Sequence, residues 1–340
     1  MTKSTNLMRS ILVGAVLASF VSPAAAHHPS ASPGGGPAGP VVTRSPDTLP
    51  AGKWAVSAHV EFIDLDDIPD DRLEQYGAED VEGVHGIDSI LATHFGAAFG
   101  IRDDLMLSVS LPVIRRSNID EGHNESPGVG EVEKLGDSAG VGDLVVMGTW
   151  RFLHQPKKRR SVSLIAGIKT PTGDTKDRSD DGSERFEAEF QPGSGSWDPL
   201  IGAAASVGIG SVTLSTSILA QLTTEGSQGT DLGDVVNYDF AAAYRVMGGM
   251  HEHGDGTTEF HQALDLVLEL NGEWRAKEET SGTKDPHSGG NTLYISPGAR
   301  YTHPAGFASW VSVGLPIAQD LNGKQSDANV RLMAGIAQAF

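Results

Sequence analysis

The sequence predicts an all-β protein, a transmembrane antiparallel β-barrel of about twelve strands and of the outer-membrane type. Two patterns indicate this fold: segments of roughly ten residues in which apolar and polar side chains alternate, and connections that are alternately short and long. A third observation is that the last apolar-polar segment ends on Phe340. The closing strand of such a barrel commonly places an aromatic residue at the membrane interface. We therefore interpret Phe340 as a signal for barrel closure and for the barrel-assembly machinery.

The N-terminal residues have the features of a secretory signal peptide, predicted over 1–26. A positively charged start precedes an apolar run over 11–21, which is too short for a transmembrane helix, and small residues end at Ala26. Cleavage near Ala26 would leave a flexible, Pro/Gly-rich periplasmic lead-in over 27–51, followed by the barrel over 52–340. These features predict the outer membrane of a Gram-negative-type bacterium.

The strands and their connections can be placed along the chain from the alternation. The twelve predicted strands are 52–63, 90–101, 105–116, 141–152, 161–171, 197–208, 211–223, 235–246, 261–274, 292–302, 307–317 and 329–340. Long polar connections are predicted at 64–89, 117–140, 172–196, 224–234 and 275–291. Outer-membrane barrels have short periplasmic turns and long external loops, so this parity puts the N-terminus in the periplasm. The predicted turn at 247–260 is long for the periplasmic side.

A soluble periplasmic β-sandwich is the alternative fold. It would show the same alternation, although its strands usually span only ~5–6 residues. Pro112, Pro297 and Pro316 fall within predicted strands and oppose any all-β interpretation mildly, because proline removes a donor from the hydrogen-bond ladder. The length of the segments and the alternation of loop lengths favour the barrel.

Alternation also predicts which side chains line the lumen. The predicted charged and histidine residues of the inner face are His59, Glu61, His94, Asp143, Arg151, Lys169, Asp239, Arg245, Asp265, Glu269, Arg300 and Arg331. In a pore, such residues set selectivity. They can also pair with one another and fill the lumen. Barrels of about eight strands are packed and those of sixteen or more hold water, so twelve strands leave both a narrow pore and a plugged barrel open.

Three segments in the middle of the chain carry a family resemblance. They are Gly140–Phe152 with GxGD, Ala166–Asp174 with PTGD, and Gln191–Leu200 with GxGSxD. In this order they resemble the outer-membrane transporter family named after the meta-cleavage pathway of phenol degradation, the phenol MetA-pathway family. The resemblance covers roughly residues 138–207. It implies a porin-like channel for passive passage of small molecules, and the family's name favours aromatic or hydrophobic compounds.

The charge and cysteine content of the chain limit which binding partners are expected. The chain has 25 basic and 44 acidic residues, a net charge of -19, and no cysteine. Nucleic-acid binding is disfavoured, because it would require a basic surface. Outer-membrane lipid, lipopolysaccharide and a small-molecule solute are the expected partners. The acidic loops could hold divalent cations such as Ca²⁺ or Mg²⁺, although no EF-hand spacing is present. No cofactor is predicted.

A second hypothesis concerns metal handling on the periplasmic side. The thioether and imidazole donors that suit copper or silver are Met247, Met250, His251 and His253, with His27 and His28 near the predicted mature N-terminus. A periplasm-facing metal-handling or partner-docking barrel is therefore the alternative function. The plainer interpretation is a solvated turn with interfacial methionines, because short His/Met tracts are compositional indications only.

One motif suggests an enzyme. Gly136–Gly140 matches the G-x-S-x-G nucleophile elbow, which requires a strand before the serine and a helix after it. A predicted barrel strand follows instead, so we interpret the match as a coincidence within a loop. No catalytic residue is predicted, and a barrel hydrolase is only a formal alternative.

Overall fold

The computed structural model describes residues 39–81, 84–252 and 258–340. Its strands are β1 (Trp54–Asp66), β2 (His85–Arg102), β3 (Leu105–Ser126), β4 (Val129–Val141), β5 (Val145–Gln155), β6 (Arg160–Lys169), β7 (Asp198–Ile209), β8 (Val212–Gln221), β9 (Thr230–Asp231), β10 (Val235–Glu252), β11 (Thr258–Arg275), β12 (Glu279–Thr280), β13 (Thr283–Lys284), β14 (Gly290–Thr302), β15 (Phe307–Leu321) and β16 (Asp327–Ala339). An α-helix, α1 (Asp70–Ala78), and two short 3₁₀ turns (Pro156–Lys158 and Ser227–Gly229) complete the elements. In these ranges no helix is both long and apolar enough to cross a membrane.

Twelve strands form a closed antiparallel barrel, which confirms the predicted fold. The barrel strands are β1, β2, β3, β5, β6, β7, β8, β10, β11, β14, β15 and β16. Each pairs with the next barrel strand along the chain, and β1 pairs with β16 to close the ring. Closure satisfies the backbone groups that an open sheet edge would leave unpaired in lipid.

Phe340 lies at the seam between the first and last strands. Its N–H donates to the carbonyl of Trp54 at 2.9 Å, and the two rings stack with centroids 4.6 Å apart. Both rings are about half exposed on the outer surface. The pair therefore joins the two ends of the barrel at the rim that the sequence predicts to be periplasmic, and the two rims are named here after that prediction.

Replacing Phe340 by alanine is expected to lower the yield of closed barrel. A stacked aromatic pair contributes about 1 kcal/mol beyond its buried area, and here that contribution lies on the ring-closing strand pair. Refolding yield, measured by heat-modifiable mobility in gel electrophoresis, should fall several-fold. Phe307→Ala, a change at another rim aromatic outside this stacked pair, is the control. Equal yields for the two variants would contradict a special role for Phe340.

The outer face of the barrel is apolar and the inner face is polar. On β11, Leu266, Leu268 and Leu270 are exposed, whereas the intervening Val267 and Glu269 are buried. Cβ atoms alternate across a strand, so the leucines face the lipid and the glutamate faces the lumen.

Two connections differ from the prediction. The predicted loop at 117–140 is a hairpin of β3 and β4 that extends the barrel wall: β5 pairs with β3 over 105–110, and β4 pairs with β3 over 113–126. The predicted turn at 247–260 is also mostly strand, because β10 and β11 pair as far as Glu252 and Thr258. On the β3–β4 hairpin, Ile119 and Leu135 are buried against Phe186 and Phe190 of the loop at 170–197, so its apolar residues serve loop packing rather than lipid contact.

The first external loop contains helix α1, which the sequence did not predict. The helix begins after Pro69 with two acidic residues in its first turn, where negative charge is favourable. Leu73 and Tyr76 are buried in a small cluster with Val84. The helix lies against the β3–β4 hairpin so closely that a Cβ on Gly77 would meet the carbonyl oxygen of His123 at 2.3 Å.

Residues 39–49, which we call the luminal segment, lie inside the barrel. Val41, Val42 and Thr43 are fully buried, and the two valines pack against Val267 and Trp310 from the wall. The described part of the predicted flexible lead-in is therefore ordered against the barrel rather than free in the periplasm. It carries no periodic pattern, because its partners are side chains far away in sequence.

Candidate functional site

The luminal segment is held chiefly by one buried carboxylate. Glu269 on β11 accepts hydrogen bonds from the backbone N–H groups of Val41 at 3.2 Å, Val42 at 2.9 Å and Thr43 at 3.0 Å. The glutamate is only 1% exposed. A buried carboxylate requires such donors, and three consecutive backbone N–H groups supply them.

A second set of contacts lies closer to the periplasm. Arg300 donates to the carbonyl oxygen of Pro40 at 3.0 Å and lies over the ring of Trp310 at 5.7 Å. Asp265 accepts from the N–H of Gly39 at 3.3 Å and forms an ion pair with Arg245. The segment is therefore anchored to several strands of the wall.

Arg331 on β16 joins side chains of three other barrel strands on the inner wall. It is 2% exposed, lies over the ring of Tyr294 at 4.3 Å and donates to Asn271 at 3.2 Å. Its Nε is 3.9 Å from a carboxylate oxygen of Glu61. The arginine thus has a cation–π partner as well as polar partners.

Asp239 connects the barrel wall around Arg331 to the luminal segment. Its carboxylate accepts hydrogen bonds from Asn271 at 3.0 Å and from Ser217 at 2.8 Å. The Ser217 hydroxyl in turn accepts from the backbone N–H of Arg44 at 3.1 Å. Arg44 marks the point of the segment farthest from the periplasm, because the chain then returns toward the turn at Asp103.

The return path is tied to the periplasmic end. Thr48 donates to the carbonyl oxygen of Asp103 at 2.7 Å, and Asp47 lies 3.6 Å from the guanidinium of Arg151. His59 and His94 stack beside this path, as a directly opposed pair on β1 and β2 with ring centroids 4.4 Å apart and nearly parallel planes.

The three motifs of the family resemblance meet at the external rim. Asp143 accepts from the N–H of Gly173 at 2.8 Å, and from the N–H and hydroxyl of Ser194 at 2.8 and 2.6 Å. Lys169 lies 3.3 Å from Asp143 and 2.6 Å from Asp198. These contacts tie both ends of the loop at 170–197 to the barrel wall.

Three motif glycines make this arrangement possible. A Cβ on Gly173 would lie 2.7 Å from the carbonyl carbon of Gly142 and 2.7 Å from the Cα of Gly193. The obstructing atoms are backbone, which cannot move away as a flexible side chain can. The glycines of GxGD, PTGD and GxGSxD are therefore required by close approach of three chain segments.

Two cavities lie on either side of the luminal segment. The upper cavity, of about 220 Å³, opens between the segment and the external loops, and the lower one measures about 70 Å³. Arg44 lines both cavities. The apolar wall of the upper cavity is formed by Leu65, Ile90, Ile114, Val145, Leu200 and Leu219. Its charged lining includes Arg116, Lys169, Asp143, Glu189 and Glu278.

The sequence predicted two sets of site residues, the lumen residues and the metal ligands, and the structure describes them to different extents. The twelve predicted lumen residues all contact the luminal segment, one another or the polar groups of the inner wall, as described above. Of the predicted metal ligands, only Met247 has a described side chain. Met247 is 44% exposed, Met250 and His251 are described only as backbone of β10, and His253, His27 and His28 lie outside the described residues.

Ser138 of the G-x-S-x-G match has a structural contact. It lies on β4, is fully buried, and donates to the carbonyl oxygen of Phe190 at 2.7 Å. No helix follows it, so the nucleophile elbow geometry is not present here.

The fold and the apolar outer surface define a β-barrel protein of the bacterial outer membrane. Residues 79–320 match the family described as "Putative MetA-pathway of phenol degradation". This match covers more than half of the sequence, and the chain belongs to that family. Among curated proteins, none matches the chain.

A solved structure shares the fold. An outer membrane channel from Pseudomonas putida superposes with a TM-score of 0.59 at 16% identity, covering 86% of this chain and 97% of that chain. The CymD monoaromatic hydrocarbon channel gives a TM-score of 0.41 at 10% identity, covering 86% and 89%. The TodX monoaromatic hydrocarbon channel, as its deltaS2 mutant, gives 0.42 at 8% identity, covering 87% and 92%. The last two resemblances are too loose to support a functional conclusion.

Proposed function

We propose that this protein is a passive outer-membrane channel for small aromatic or otherwise hydrophobic molecules. The observation that carries the proposal is the upper cavity, with one apolar wall and a cationic floor at Arg44. An apolar cavity of ~150 Å³ already holds benzene in another protein, so about 220 Å³ suffices for a single aromatic ring. The Arg44 guanidinium can lie against the face of such a ring.

Passage requires the luminal segment to move. The segment occupies the lumen at the height of Glu269 and separates the upper cavity from the lower one. Its anchors are hydrogen bonds to backbone groups together with the buried contacts of Val41, Val42 and Leu49, so displacement must break both. We infer that the channel conducts when this segment shifts and is closed at mid-height when it is anchored.

A binding measurement tests the aromatic cavity. Purified barrel in planar bilayers should show current interruptions by phenol that increase with its concentration, and none with glucose. Leu219→Ala, which alters the upper cavity wall, should weaken the phenol effect several-fold, because an apolar side chain in contact with the ring is lost. Leu266→Ala, the same change on the lipid-facing side, is the matched control.

An outcome without any channel opening would contradict the proposal, as would equal effects of phenol in both leucine variants. A protein-free bilayer controls for effects of phenol on the lipid itself.

Further parts of the proposal concern location and partners. Removal of residues 1–26 and insertion by the barrel-assembly machinery agree with the predicted signal peptide and with the Trp54–Phe340 seam. The acidic external loops lie where lipopolysaccharide and its bridging cations are found. Transport rather than hydrolysis is supported by the buried, hydrogen-bonded state of Ser138.

A further inference from the structure

Four titratable side chains converge at the external rim, and two of them belong to an acidic loop for which divalent cations were considered. We call His85, Glu121, Glu187 and Glu189 the His85 cluster. The imidazole Nε2 lies 3.7 Å from Glu121 and 3.9 Å from Glu187, and Nδ1 lies 3.5 Å from Glu189. One ligand atom from each of His85, Glu187 and Glu189 lies within 4.8 Å of the others.

The cluster lies outside the lipid-facing part of the barrel. On β2 the nearest exposed large apolar residue is Leu91, six residues from His85, or roughly 20 Å along a strand. The side chain of Glu187 is 61% exposed, and those of Glu121 and Glu189 are each 29% exposed. Ions in the external medium can therefore reach the carboxylates.

The imidazole itself is enclosed. The His85 side chain is 5% exposed and packs edge-on against Phe190, and its Nε2 has no hydrogen-bond partner within range. A buried imidazole nitrogen without a hydrogen-bond partner therefore lies within a group of carboxylates, and this geometry can hold a metal ion.

We propose that the His85 cluster binds a Zn²⁺ ion, with His85, Glu187 and Glu189 as ligands and Glu121 beside them. A combination of one imidazole nitrogen with carboxylate oxygens is a zinc ligand set, whereas Ca²⁺ and Mg²⁺ take oxygen ligands. Tetrahedral zinc places its ligand atoms roughly 3.4 Å apart. The ligand atoms now lie within 4.8 Å of one another, and the glutamate side chains must rotate inward to reach this spacing about one imidazole nitrogen. Zinc would displace the imidazole proton on binding.

The ion would connect two parts of the structure. His85 and Glu121 are paired residues of β2 and β3, while Glu187 and Glu189 belong to the loop at 170–197. His85 and Glu189 also line the upper cavity. Bound zinc would therefore hold this loop against the barrel rim at the external mouth.

Competition with a chromophoric zinc chelator tests the site on the purified full-length barrel in detergent. The wild-type protein should bind one more equivalent of Zn²⁺ than His85→Gln, or bind it at least tenfold more tightly. His154→Gln is the matched control, because the His154 imidazole contacts Ser161 at 3.1 Å, far from the cluster. Equal zinc binding by the wild type and His85→Gln would overturn the proposal.

Protease protection provides a second readout that does not depend on transport. Zinc should slow tryptic cleavage after Arg178 and Arg185 in the wild type and leave the rate unchanged in His85→Gln. Heat-modifiable mobility verifies that the variant forms a closed barrel. If Ca²⁺ or Mg²⁺ protects both proteins equally and zinc adds nothing, the cluster is an oxygen-only cation site and the zinc proposal is wrong.

Discussion

Glu269→Gln is expected to raise the open probability of the barrel in planar bilayers by about 100-fold. The carboxylate receives three backbone hydrogen bonds from the luminal segment, at 2.9 to 3.2 Å. The glutamine amide offers one acceptor oxygen and no charge, so at least one N–H group loses its partner. Hydrogen bonds to charged groups contribute about 1.5–3 kcal/mol each, and a loss of about 3 kcal/mol corresponds to about two orders of magnitude.

Glu279→Gln is the matched control for this experiment. It removes the same charge from β12, where the carboxylate is 43% exposed and only 4.0 Å from Lys284. Its conductance should equal that of the wild type. Wild-type conductance in Glu269→Gln would show that the luminal segment does not control the channel, even if the barrel conducts.

Gly173→Ala is expected to detach the loop at 170–197 from the barrel rim. The added methyl group would lie 2.7 Å from backbone atoms of Gly142 and Gly193, and overpacking of this kind costs about 3 kcal/mol. Asp143 would also lose its hydrogen bond from the Gly173 N–H. The rate of tryptic cleavage in the loop should rise by about 100-fold, because cleavage follows the population of the open form.

Gly148→Ala is the control for the glycine experiment. A Cβ at Gly148 would meet its nearest neighbour, the carbonyl oxygen of Ala166, at 3.8 Å, which is ordinary contact. Its cleavage rate should match that of the wild type. Unchanged cleavage in Gly173→Ala would mean that the three motifs hold the loop by means other than glycine packing.

The barrel wall could be predicted because the alternation of apolar and polar residues within each membrane strand reflects the lipid on one side and the lumen on the other. Leu266, Leu268 and Leu270 face lipid while Asp265 and Glu269 face the lumen, and this contrast repeats in each membrane strand. A shift of one residue would put the charges into the lipid, so the alternation determines the faces. The same pattern is the basis on which the sequence predicts the twelve inner-face residues.

The extensions above the membrane could not be predicted in this way. The β3–β4 hairpin lies outside the lipid, and its buried residues Ile119 and Leu135 pack against the loop at 170–197 instead of following a lipid-facing alternation. Helix α1 is held there by close backbone approach at Gly77 and Gly122 rather than by a long apolar stripe. Such contacts depend on distant segments and leave little local pattern.

The amino-acid sequence alone therefore determined the class of fold, the number of strands and the family. Lipid on one side and polar groups on the other impose a period of two on every strand, and that period is a local property. The closure of the lumen by the luminal segment, the meeting of the three motifs at Asp143 and the His85 cluster were decided by the tertiary structure. Each joins residues that are far apart in the chain, and only the folded barrel brings a carboxylate such as Glu269 within hydrogen-bonding distance of Val42.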